Sequence, residues 1–133
     1  MINILIVSHA DLGHALIRAA EMIVGPIESI AAVSLLPGES PEGFEEKLDA
    51  VLAKFEGEGT LILIDLFGGT PYNVAVRRVL QDNVECVTGA NLPMVLELVM
   101  SRDDASLSEL AQQVAEAGQN SVKNLGPMLS RSG

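Results

Sequence analysis

Residues 60–67 read TLILIDLF, a run of strand length that is apolar on both of its faces. Such a run is typical of a central parallel strand, because helices cover both faces of a parallel sheet. Three further segments of strand length, INILIV, ESIAAVSLL and VECVT, occupy residues 2–7, 28–36 and 84–88. The sequence therefore predicts a sheet of about four strands with the 60–67 segment in its interior.

Helical segments separate these strands. Apolar residues recur at helical spacing after the first strand, as far as the helix-ending pair Gly25-Pro26. Ser40 followed by proline is typical of a helix start, and Ser106 with Glu109 forms a capping box. This alternation predicts an α/β fold: a doubly wound, mostly parallel sheet with helices on both faces.

Composition limits the class of protein. The chain has 133 residues, 48% of them hydrophobic, which fits one folded domain; we expect it at residues 1–126, followed by a tail at 127–133. No apolar run approaches the roughly 20 residues of a membrane-spanning helix, and the first residues lack a secretion signal. With a single cysteine and a net charge of −10, the sequence predicts a cytoplasmic protein that binds no nucleic acid.

Polar residues follow two of the predicted strands. Doubly wound sheets bind ligands beyond the carboxyl ends of their strands, where the winding direction reverses. His9 follows the first strand, and Asp65, Gly68, Gly69 and Thr70 stand at the end of the third, with Thr70 as the candidate N-cap of the next helix. If these two strands are neighbours, His9 and Asp65 lie at one crevice.

A histidine beside a carboxylate has one ring nitrogen committed to that carboxylate. The other nitrogen keeps its lone pair, which can act as a base, bind a metal or attack an electrophile. Gly68 and Gly69 allow backbone N–H groups to approach an anion, and helix N-termini favour negative charge. This combination favours a nucleophilic His9 that accepts a phosphoryl group and holds it as phosphohistidine.

Other chemistries are less well supported by the sequence. It has no GxSxG motif for a serine hydrolase, too few cysteines and histidines for a zinc site, and no lysine in the glycine turn for a nucleotide loop. We therefore predict no metal and no cofactor. Purely structural roles stay open: His9 as a loop residue, Asp65 as a turn cap, Cys86 as a core residue and residues 102–104 as a solvated helix end.

Four blocks of the sequence resemble a known family. They are Ser8-His9 after the first strand, IDLFGGTPYN, TGANLPM and SRDD, in that order. Together they resemble the enzyme IIA domain of the mannose family of the bacterial phosphoenolpyruvate-dependent sugar phosphotransferase system. The resemblance extends from about Ile2 to Leu125.

The resemblance assigns roles to the matching residues. It implies that His9 is phosphorylated by phospho-HPr and passes the phosphoryl group to a IIB component during sugar uptake. It implies that Asp65 hydrogen-bonds the other ring nitrogen, and that Thr70 lines the phosphate site with the backbone at Gly68 and Gly69.

It further implies a homodimer in which a short antiparallel strand, Ser121–Leu125, crosses between subunits, and contact with the membrane only through the permease complex. Because no Ala/Pro-rich linker to a IIB domain follows, we expect a separate IIA polypeptide or an excised piece. Alternatives are the IIA-like relay subunit of a dihydroxyacetone kinase, a phosphorylation-dependent regulatory module and a flavodoxin-like binding domain without phosphotransfer.

Overall fold

Four parallel strands form one sheet in a computed structural model of the chain, which describes residues 1–81 and 83–130. The order in the sheet is β2-β1-β3-β4, and all pairings are parallel. The strands are β1 (Asn3–His9), β2 (Ile30–Leu35), β3 (Thr60–Ile64) and β4 (Val84–Thr88). The predicted parallel sheet of about four strands is confirmed.

Helices connect the strands and cover both faces of the sheet. Over the described residues they are α1 (Leu12–Val24), α2 (Pro41–Lys54), α3 (Gly69–Ala75), α4 (Leu92–Ser101), α5 (Leu107–Asn120) and α6 (Leu125–Met128), and a 3-10 helix at Val76–Leu80 continues α3. One apolar core packs α1, α4 and α5 on one face of the sheet, and a second packs α2 and α3 on the other. None of the described helices is long and apolar enough to cross a membrane.

The winding of the chain reverses between β1 and β3, so the crevice expected of a doubly wound sheet lies at their carboxyl ends. Val7 pairs with Ile64, the last residue of β3, whereas His9 pairs only with Leu35 of β2. β1 therefore extends past the end of β3. This offset places His9 at the edge of the sheet, next to the loop that begins with Asp65.

Side chains cap the helices largely as the sequence predicts. The hydroxyl of Ser40 accepts the backbone N–H of Gly43 at the start of α2, and both hydrogen bonds of the capping box at Ser106 are present. The expectation that Thr70 caps α3 is wrong. The helix begins at Gly69 with Gly68 as its N-cap, and both glycines have positive φ, of +131° and +84°, which glycine adopts readily.

The antiparallel strand expected at Ser121–Leu125 is not present. Residues 121–124 have no regular secondary structure, and Leu125 begins the short helix α6. A strand needs a hydrogen-bonded neighbour, and none of the described strands lies beside this segment. In the resemblance that neighbour belongs to a second subunit, so a single chain cannot supply it.

Candidate active site

His9 and Asp65 form a direct hydrogen-bonded pair at the crevice. The ring Nδ1 of His9 lies 2.9 Å from Oδ2 of Asp65, and the backbone N–H of His9 donates to the same oxygen at 2.9 Å. The Asp65 backbone N–H in turn donates to the carbonyl of Val7 at 3.2 Å, which ties the two strand ends together. The convergence that the sequence predicts for these two residues is present in the structure.

Burial differs sharply between the two partners. The His9 side chain is 48% exposed, whereas that of Asp65 is only 9% exposed. The second carboxylate oxygen of Asp65, Oδ1, is buried and has no hydrogen-bond partner among the described residues. Because an ionised carboxylate only accepts hydrogen bonds, Nδ1 of a neutral His9 carries the proton and Nε2 keeps its lone pair.

The free side of the imidazole faces the glycine turn. A Cβ atom placed on Gly69 would lie 3.3 Å from Cε1 of His9 and 3.5 Å from Nε2, whereas one placed on Gly68 would meet nothing within 4 Å. Gly69 therefore leaves room beside the ring nitrogen that Asp65 does not use. α3 begins at Gly69, and the N–H groups in the first turn of a helix have no intrahelical acceptor.

The remaining predicted residue, Thr70, lies in the first turn of α3. Among the described residues its hydroxyl makes no hydrogen bond to His9 or Asp65. The second histidine, His14, is separate from the pair: its Nδ1 lies 3.2 Å from the hydroxyl of Ser34. The structure therefore brings together His9, Asp65 and the glycine turn, and keeps His14 apart.

Comparison with known proteins gives the family. The protein-family model described as "PTS system fructose IIA component" matches residues 3–115 of this chain. This chain belongs to the IIA family of the phosphotransferase system. The mannose-specific EIIAB component of Escherichia coli K12 is 39% identical over 127 residues, which are 93% of this chain and 39% of that protein. The fructose-specific EIIA component of Bacillus subtilis is 33% identical, over 92% of this chain and 86% of that protein.

Solved structures of IIA proteins have the same fold. A IIA protein associated with the fucose utilization operon of Streptococcus pneumoniae has a TM-score of 0.86 at 32% identity, with 96% of each chain covered. The EIIA component of Streptococcus agalactiae has a TM-score of 0.87 at 27% identity, over 96% of this chain and 99% of that one. Because this IIA chain spans about two-fifths of the E. coli EIIAB protein, that protein's whole activity does not transfer directly. Family membership supports a phosphotransfer carrier role in sugar uptake.

Sequence reasoning missed parts of the site in this IIA chain. A cavity of about 310 Å³ opens beside His9 and is walled by Leu35 at the end of β2 and by residues 36–39 of the loop that follows. The carboxylate of Glu39 in that wall accepts the N–H of Leu36 and pairs with Lys47, and these contacts lower the pKa of its carboxyl. Loop residues of this kind have no motif, so only the fold reveals them. The sequence places Ser8 beside His9, but nothing in it predicts that the Ser8 side chain is buried.

Cys86 lies in β4 and takes no part in the site. Its thiol donates weakly to the carbonyl of Ala75 at 3.6 Å, and burial raises its pKa to about 12. Reactive cysteines have lowered pKa values that expose a thiolate near neutral pH. Cys86 is therefore a half-buried packing residue.

Proposed function

We propose that this IIA chain is a phosphohistidine carrier, which accepts a phosphoryl group from phospho-HPr on Nε2 of His9 and passes it to a IIB component in sugar uptake. The observation that carries the proposal is the hydrogen bond of 2.9 Å between Asp65 and Nδ1, which leaves Nε2 free beside Gly69. The matches to IIA components of sugar systems support the choice of partners.

The transfer needs only one bond to form and one to break. The lone pair on Nε2 attacks phosphorus while the N–P bond of the donor breaks, and that electron pair returns to the donor's imidazole. The proton on Nδ1 stays in its hydrogen bond to Asp65, whose negative charge stabilises the ring as it becomes positive. Transfer to the IIB component is the same step with His9 as the leaving group.

Positioning is the main contribution of the protein in this scheme. Donor and product are both phosphoramidates, so the exchange is close to balanced and no metal is required by its chemistry. A fixed ring orientation and N–H donors toward the equatorial phosphoryl oxygens lower the barrier. Gly68 and Gly69 with Thr70 are the proposed phosphate-binding residues, and a homodimer is the proposed assembly.

Labelling tests the carrier role. Incubation of the protein with enzyme I, HPr and phosphoenolpyruvate is expected to place an acid-labile, base-stable phosphate on the chain. His9→Ala removes the acceptor and abolishes the label, whereas His14→Ala, the matched control at the chain's other histidine, keeps it. A label that persists in His9→Ala overturns the assignment.

A further inference from the structure

The backbone directly after His9 adopts a conformation that is uncommon outside glycine. Ala10 has φ of +50°, in the left-handed region. Its N–H donates to the carbonyl of Leu35 at 2.9 Å, which secures one side of the turn to β2. A left-handed residue that is not glycine persists only where its surroundings hold it, and such residues cluster at functional sites.

One buried hydroxyl holds the other side of this turn. Ser8 is fully buried, and its hydroxyl donates to the carbonyl of Ala10 at 3.3 Å. The same oxygen accepts the backbone N–H of Gly13 at 2.9 Å. The hydroxyl therefore connects both ends of the turn that carries the chain from β1 into α1.

This second hydrogen bond replaces the usual cap of α1. Asp11 is the N-cap residue, but its carboxylate accepts no N–H from the first turn. An N-cap side chain normally accepts the N–H of the second or third helical residue, and here the second residue, Gly13, donates to Ser8 instead. Gly13 also allows close packing, since a Cβ there would lie 3.2 Å from the carbonyl oxygen of Ile6.

The pair of His9 and Asp65 depends on the geometry of this turn. Both the backbone N–H and the ring Nδ1 of His9 reach the same oxygen of Asp65. The backbone N–H and the ring Nδ1 of one residue can both reach the same oxygen only when the ring keeps a fixed orientation relative to the backbone. A small rotation of the backbone at residues 9–10 would break one of the two bonds.

We infer that Ser8 is a positioning residue for His9: its hydroxyl fixes the 9–13 turn so that Nδ1 stays on Asp65 and Nε2 stays open to the phosphoryl group. This inference rests on the proposed phosphohistidine function. Its contribution is orientation, so its loss lowers the rate of phosphorylation while the protein remains folded. Misplacement by about 1 Å can cost about 10²-fold in rate, and we expect a loss of about tenfold or more.

Two variants of Ser8 and one control test the inference. Ser8→Ala deletes the hydroxyl, and Ser8→Cys replaces it with a somewhat larger thiol that is only a weak donor and acceptor. Ser106→Ala is the control, because it also deletes a serine that caps a helix. Ser106 precedes Leu107, which contacts the chain at Gly59 just before β3, at the opposite end of the sheet.

Two measurements are made on each variant. The first is the rate of phosphorylation from phospho-HPr, normalised to the folded fraction. The second is the pair of ¹⁵N chemical shifts of the His9 ring, which report which nitrogen carries the proton without any phosphoryl transfer. We expect both Ser8 variants to lose rate and to show a mixture of ring tautomers, while Ser106→Ala changes only stability.

The outcomes separate the inference from the proposed function. If the parent protein is never phosphorylated, the carrier proposal fails, and the ring spectrum alone still decides the role of Ser8. If a Ser8 variant folds and keeps both the parental rate and the parental ring spectrum, Ser8 is not a positioning residue. If Ser8→Ala does not fold, the phosphorylation rate and the ring spectrum of Ser8→Cys, which leaves no cavity at this position, decide the role of Ser8.

Discussion

A single carboxylate oxygen binds His9 twice, and this makes Asp65 the most sensitive residue of the site. An amide in its place can still accept from the ring, but it carries no charge to stabilise a positive imidazole, and its NH₂ group can turn toward Nδ1 and favour the wrong tautomer. Asp65→Asn is therefore expected to fold normally and to slow phosphoryl transfer by about 10²- to 10⁴-fold, the upper value being that of an oriented histidine whose aspartate becomes asparagine.

Rapid-quench labelling with phospho-HPr measures this effect. Asp11→Asn is the matched control, because Asp11 also stands close to His9 in the chain but makes no cap hydrogen bond. Transfer by Asp65→Asn at the parental rate would count against the role given to the carboxylate.

The two glycines of the turn provide a second prediction at the residue scale. Both have positive φ, and the φ of +131° and ψ of +170° at Gly68 form a conformation essentially confined to glycine, so alanine at either position costs about 1–3 kcal/mol of stability. Only the alanine at Gly69 would also press on the imidazole, 3.3 Å from Cε1. We expect both Gly68→Ala and Gly69→Ala to lose Tm, and Gly69→Ala to be phosphorylated at least about tenfold more slowly than Gly68→Ala. Equal rates in the two variants would show that the ring tolerates the methyl group.

At the scale of elements, Arg78 links the 3-10 helix to α2. Its guanidinium lies 2.8 Å from Glu45 and 2.7 Å from Asp49, and it also donates to the carbonyl of Val74 at 3.0 Å. Arg78 is 9% exposed at its side chain, whereas the neighbouring Arg77 is 61% exposed and lies 3.7 Å from Glu45. Arg78 and Arg77 therefore form a matched pair, in which the same residue type makes a buried ionic contact at position 78 and a solvated one at position 77.

Substitution of each arginine by methionine measures the difference. Arg78→Met is expected to lower the free energy of unfolding by about 2 kcal/mol, less than a fully buried pair loses, because both carboxylates can recover water. Arg77→Met is expected to stay within about 0.5 kcal/mol. Urea unfolding measures both free energies. Similar losses in the two variants would show that the contacts of Arg78 with α2 do not contribute more stability than those of Arg77.

The helices and strands also show which features of the fold could be predicted from the sequence alone. The meeting of His9 and Asp65 was predictable, because parallel strands end at one edge and the winding reverses between neighbours. The burial of Arg102 was not: expected at a solvated helix end, it is 5% exposed and donates to the carbonyls of Ile2 and Glu28. Because those acceptors belong to distant parts of the chain, no local pattern predicts the burial of Arg102. The cap that Ser8 provides for α1 was not predictable either, because Ser8 lies outside the usual N-cap position.

At the scale of the whole molecule, β4 is an edge strand beside an open groove. A cavity of about 530 Å³ lies along it, lined in part by Phe67, Tyr72 and Val87. The C-terminal segment carries large apolar side chains that are mostly exposed: Val122 at 78%, Leu125 at 57%, Met128 at 60% and Leu129 at 75%. An open strand edge and exposed apolar residues are both features that proteins cover by association. This supports the proposed homodimer, with the C-terminal segment of one chain lying on β4 of its partner.

Sedimentation equilibrium tests that assembly with charge placed at the proposed contact. Val122→Asp with Leu125→Asp is expected to convert a dimer into folded monomers, because two carboxylates would have to be buried in an apolar interface. Met22→Asp is the control: Met22 is 91% exposed, on α1, and does not line the groove, so the dimer should persist. A parental protein that sediments as a monomer would contradict the proposed homodimer. A double variant that remains dimeric would show that the C-terminal segment lies outside the contact. The ring spectrum of His9 measured on folded monomers then shows whether the site forms within one chain, as the bond between His9 and Asp65 requires.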